Sequence, residues 1–166
     1  IMKKIIVAIF MIAFTFANAQ QAYKGKDDKK FQLGANLQKW GTGITATFDY
    51  GIGENMSCGL SATYLLSVKD IIIDDAKIGD KADLKARFNA NLGNVINIDP
   101  KFDVYPGLDL GLRNFGAHLG ARYFFTEGFG IYTEAGFPLA KYDTTPEGYG
   151  VLNNQFAFQI GAAFNF

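Results

Sequence analysis

The last twelve residues of the chain, Gln155-Phe-Ala-Phe-Gln-Ile-Gly-Ala-Ala-Phe-Asn-Phe166, alternate without a break between two kinds of side chain. One face carries Phe156, Phe158, Ile160, Ala162, Phe164 and Phe166; the other carries Ala157, Gln159, Gly161, Ala163 and Asn165. A period of two is the signature of an extended strand, because successive side chains leave the backbone on opposite sides. Here the apolar face is bulky and the other is small or polar. That contrast suits a strand with lipid on one side and a crowded interior on the other. Segments at 31–40, 42–52, 57–68, 85–93, 102–113, 115–125 and 130–139 repeat the pattern. Most run to about ten residues, the length a tilted strand needs to cross the hydrocarbon of a membrane. The expected fold is therefore all-β, an eight-stranded antiparallel up-and-down transmembrane β-barrel.

The ends of the chain agree with this reading. Lys3 and Lys4 precede an apolar run over 5–16, and Ala17-Asn18-Ala19 supplies small residues for cleavage. Residues 1–19 are read as a signal peptide, since a membrane-spanning helix needs about twenty apolar residues. Residues 20–30 are polar and lack apolar periodicity, so they are expected to form a flexible periplasmic segment ahead of the barrel at 31–166. With both chain ends periplasmic, 53–56, 94–101 and 126–128 become periplasmic turns, and the long polar segments 69–84 and 140–154 become outer loops. That asymmetry is typical of outer-membrane barrels. Trp40, Tyr50, Tyr123, Phe125 and Phe129 fall near strand ends, where aromatic girdles are expected.

A soluble barrel with the same strand count is the main rival. It would turn its apolar face inward and carry charge outside. The polar face here is rich in glycine, serine and asparagine, and two strands carry no charge on it, so it suits an interior better than a solvent coat. The chain has no net formal charge, which argues against a nucleic-acid partner. Its one cysteine, Cys58, has no partner for an internal disulfide and reads as a small strand residue.

The signal peptide, the glycine-rich alternating strands and the closing Phe164-Asn165-Phe166 resemble small outer-membrane barrels of the OmpA/OmpX type. The segments 102–112 and 117–137 are similar in style to porin-family barrels of Bacteroidota. The resemblance implies residence in the outer membrane. It also implies that Phe164 and Phe166 act as the signal read by the barrel-assembly machinery. No peptidoglycan-binding domain follows the barrel, so the role of the two-domain OmpA proteins is not expected to carry over.

Candidate functional groups lie on the inward face. Asp49, Asp103, Asp109 and Glu134 are negative, Arg87, Arg113 and Arg122 are positive, and His118 shares their side. Buried charge must be paired, so an internal ion-pair network is expected. It reads either as a polar plug or as an ion or proton path. The narrow interior of an eight-stranded barrel favours the plug. His118 with Asp109 and a lumenal serine, Ser61 or Ser67, also suggests a hydrolase, but nothing fixes a nucleophile order. The acids Asp70, Asp74, Asp75, Asp80 and Asp83 lack the ligand spacing of a calcium loop and read as a solvated loop. Ile71-Ile72-Ile73 within it reads as a strand extension or a sticky patch, and Tyr142 and Tyr149 as loop contacts for a partner or as packing. No cofactor or metal is expected. The functional expectation is a structural or partner-binding barrel in contact with outer-membrane lipid, an accessory subunit of a larger outer-membrane complex, with a narrow pore as the alternative.

Overall fold

The computed structural model describes residues 21–69, 78–142 and 152–166. The signal peptide, the isoleucine triplet and Tyr149 lie outside them. Eight strands follow one another: β1 (Lys29–Gln38), β2 (Gly41–Gly51), β3 (Met56–Val68), β4 (Ala82–Ala90), β5 (Phe102–Gly111), β6 (Asn114–Phe124), β7 (Phe129–Lys141) and β8 (Ala157–Asn165). A single turn of helix, α1 (Ile78–Lys81), precedes β4, and another, α2 (Gly93–Ile96), sits between β4 and β5. Each strand pairs antiparallel with the next, and β8 returns to β1, so the sheet is a closed barrel in sequential order. Closure leaves no unpaired edge.

The barrel is turned inside out relative to a soluble protein. Leu110 is 61% exposed and Ile160 50% exposed, and Leu60, Leu119 and Phe158 lie on the same outer surface. Asp103, Asn89 and Gln32 are fully enclosed. The alternation follows from the pleat, since neighbours along each strand take opposite faces. Two bulges interrupt it near the outer rim. Thr42 pairs with Ser67 while Gly43 pairs with Leu65, so Leu66 has no partner. The parity of β3 flips there, leaving Leu65 inside and Ser67 exposed, against the lumenal position expected for Ser67. A matching bulge strands Leu139 opposite Phe115 and Gly116.

The N-terminal segment departs most from expectation. Residues 21–28 are folded against the barrel mouth that carries the β2–β3 and β4–β5 turns instead of trailing from it, and β1 begins at Lys29. Ala22 donates its backbone N–H to Pro100 O at 2.6 Å, and its methyl packs with Phe124, Tyr132 and Ala163. Gly25 and Asp27 adopt left-handed backbone angles, which let the strap double back and pair with Gly51. Polar composition concealed this packing, because the strap is held mainly by hydrogen bonds to turns and by the insertion of two side chains, Ala22 and Tyr23.

Candidate functional site

The middle of the lumen gathers a cluster of charged side chains out of solvent, and five strands supply it. Arg87 on β4 reaches Glu134 on β7, with Nη2 2.7 Å from Oε2, and Asp49 on β2, with Nε 3.3 Å from Oδ1. Arg122 on β6 grips Asp103 on β5 through Nη2 at 2.7 Å and Nε at 3.0 Å. Its Nη1 lies 3.8 Å from Asp49 Oδ2, so Asp49 is shared between the two guanidiniums. Arg122 also donates to Asn91 Oδ1 at 2.5 Å and stacks 4.5 Å above the Tyr105 ring, whose other neighbour is Arg87 at 5.9 Å. The Tyr105 hydroxyl accepts from Gln32, which in turn accepts from Thr47. This arrangement spans the barrel from wall to wall and fills it.

Glycines make the room. Tyr105 lies across Gly120, where an added Cβ would meet its ring at 2.2 Å, and His118 lies across Gly107 at 2.3 Å. Each of these two rings thus faces a residue that has no side chain. Small residues on a strand mark such close approaches.

His118 and Asp109 do come together, with Nδ1 3.0 Å from Oδ2. The other ring nitrogen, Nε2, faces Asn89 Oδ1 at 2.7 Å and Arg87 Nη2 at 3.0 Å. A hydrolytic triad needs a hydroxyl at that nitrogen. An amide and a guanidinium occupy it instead, and Ser67 has left the lumen altogether. The pair is built into the ion network.

Arg113 is a correction. It follows β5 at the outer rim, half exposed, and donates to Gly79 O at 2.8 Å while lying 3.9 Å from Asp80. The short β5–β6 turn lifts it clear of the barrel interior, so it pins α1 instead of joining the network. Without it, four carboxylates face two guanidiniums and one imidazole. Asp80 and Asp83 also do more than solvate a loop. The backbone carbonyl of Asp80 accepts from Asn153, and Asp83 is buried 3.6 Å from Lys85.

Sequence reasoning missed the closures at both ends. At the strap end, Lys30 is 1% exposed and its Nζ lies 2.6 Å from Asp28 Oδ2 and 3.1 Å from Asn165 Oδ1. The ammonium sits over the rings of Tyr23 and Phe124. Tyr23 donates its hydroxyl to Met56 O and Gly53 O, and burial together with the Asp28 charge raises its phenol to about 12. Lys30 was detectable, since it keeps the even-numbered parity of Gln32, Gly34 and Asn36. At the outer mouth, Asn114 donates to Asn153 O and Asn154 Oδ1, and Gln38 donates to Leu152 O. Leu152, Asn153 and Asn154 are buried there. Between network and outer lid remains a cavity of about 30 Å³, lined by Ser61, Asp109, Glu134 and Gln159, room for about a single water.

On the outer surface, rings form a chain at the strap end. Tyr123 meets Phe125 at 5.4 Å, Phe125 meets Phe129 at 6.4 Å, Phe129 meets Phe164 at 5.8 Å, and Phe164 meets Phe31 at 6.2 Å. Phe164 is thus part of a belt, while Phe166 projects outward, 75% exposed, held by its N–H to Lys29 O. Tyr50 bonds to Asp27 on the same rim.

The chain is similar to the crystal structure of the N-terminal β-barrel domain of Pseudomonas aeruginosa OprF, with a TM-score of 0.55 and 12% identity, over 86% of this chain and 100% of that one. This likeness is one of fold. No curated protein matches the chain. The model of a family of unknown function, DUF6646, matches residues 12–166, and the chain belongs to that family.

Proposed function

We propose that this member of the DUF6646 family is a lipid-embedded barrel of the bacterial outer membrane, closed to ions, with a structural or partner-docking role. In this reading it serves as an accessory subunit of a larger outer-membrane assembly, and Phe164 and Phe166 are the residues presented to the assembly machinery. One observation carries the proposal: the interior is filled by an ionic network capped at both mouths, while the outer wall is a continuous apolar belt. A belt of that kind is incompatible with water but matched to hydrocarbon. The pore reading would require a continuous aqueous path, and Arg87, Tyr105 and Arg122 stand across it. Catalysis has no support in the surroundings of His118.

Planar-bilayer recording tests this. Purified, refolded protein is expected to give no steady single-channel steps. Reproducible steps that vanish when Arg87 or Asp109 is replaced would overturn the closed-barrel reading in favour of the pore.

A further inference from the structure

At the outer mouth, the β1–β2 hairpin and the end of β7 enclose a surface groove of about 530 Å³ that plays no part in the lumenal network. Its floor is apolar: Leu37 and Phe156 are 42% and 57% exposed on the lipid-facing side of the wall. Its rim is cationic. Lys39 and Lys141 both line it and both are exposed, and neither forms an ion pair among the described residues. The acids described at this end are engaged elsewhere, Asp80 with Arg113 and Asp83 with Lys85. Trp40 stands between floor and rim, with the Lys39 ammonium 4.6 Å from its ring centre. An indole at this height, apolar below and charged above, is a typical boundary residue of a membrane protein.

We infer that this groove binds an anionic, phosphate-bearing lipid of the outer leaflet. The acyl chain lies on Leu37 and Phe156, and the headgroup phosphate lies between Lys39 and Lys141. The argument is charge complementarity with a fixed height. Two ammonium groups with no ion pair among the described residues attract an anion, and the apolar floor beside them selects an anion that carries hydrocarbon. Long lysine stems can follow the apolar wall and lift their charges to the headgroup level. Trp40 sets the depth and shields one side of the phosphate from water. The inference rests on the membrane reading above.

Trp40 is the sole tryptophan, so its fluorescence reports on this groove alone. The protein is reconstituted in vesicles of phosphatidylcholine containing a minor fraction of either brominated phosphatidylglycerol or brominated phosphatidylcholine. The brominated anionic lipid is expected to associate with the site about tenfold more strongly, as two nearby lysines should allow. The preference should disappear in Lys39→Gln/Lys141→Gln and persist in Lys101→Gln, which changes a lysine at the opposite end. Inorganic phosphate at millimolar concentration is expected to leave the quenching unchanged; displacement by it would mean a free-anion site and overturn the lipid assignment. Equal quenching by both lipids, or a preference that survives the double variant, also overturns it. Absence of quenching by either lipid would instead overturn the membrane reading itself, so the two failures are distinguishable.

Discussion

Replacing Arg87 by Met is the sharpest test of the lumenal network. The side chains are similar in length, so little volume is lost, but the guanidinium that Glu134 and Asp49 share is removed. At an effective dielectric of about 20, each charge pair near 4 Å is worth about 4 kcal/mol before desolvation is counted. Removing one partner of a buried pair typically destabilises by about 3–5 kcal/mol, because the remaining charge stays enclosed. Glu134→Gln alone leaves Arg87 its Asp49 partner and is expected to cost about 1–3 kcal/mol. In the double variant Glu134 no longer needs compensation, and Asp49 retains Arg122 at 3.8 Å. The combined loss should therefore fall short of the sum by about 2 kcal/mol. Urea unfolding in detergent micelles, followed by Trp40 emission and far-ultraviolet dichroism, measures all four proteins. Additivity within about 0.5 kcal/mol would refute the claim that these groups act as one electrostatic unit.

Glycine substitutions test how tightly the interior is filled. Gly120→Ala drives a methyl into the Tyr105 ring and should destabilise by about 1–3 kcal/mol, whereas Gly136→Ala enters open space and should stay within about 0.5 kcal/mol; equal effects in the same assay would contradict the packing. The strap gives a pH dependence. The Tyr23 phenol titrates near 10.0 when free and at about 12 when docked, so its contribution is complete below pH 10.0 and is lost as pH rises through about 12. Amide exchange at residues 21–28 should accelerate over that window. Tyr23→Phe should dock more weakly by about 1 kcal/mol and lose the alkaline step; a step that persists would assign it to another group.

The barrel itself was legible because period two persists over each strand and the apolar face is bulky throughout. His118, Asp109, Arg87 and Arg122 could be placed inside by parity alone. Parity failed where the backbone changes phase. The bulge at Leu66 expelled Ser67, and the turn after Gly111 carried Arg113 to the rim. No residue type announces either event, since a bulge is a property of pairing between two strands. The strap was hidden for a different reason. Residues 21–28 have no periodicity, and Ala22 and Tyr23 are the only buried apolar side chains in a run that also buries Asp28. Who pairs with whom inside was likewise beyond reach. That Asp49 serves both arginines depends on the stagger between distant strands.

The seam between β1 and β8 joins the two extremes of the folded chain. At its middle Gly34 lies directly opposite Gly161, where a methyl on either would strike the facing backbone. At that point the seam has no side chains to choose its alignment, and a slip of one residue would swap its wet and greasy faces. One end supplies a latch: the Lys30 ammonium bonds Asn165, and the Phe31 ring lies beside Phe164. Zipping of the final pair of strands should accordingly begin at the rim closed by the strap, with the bare middle following.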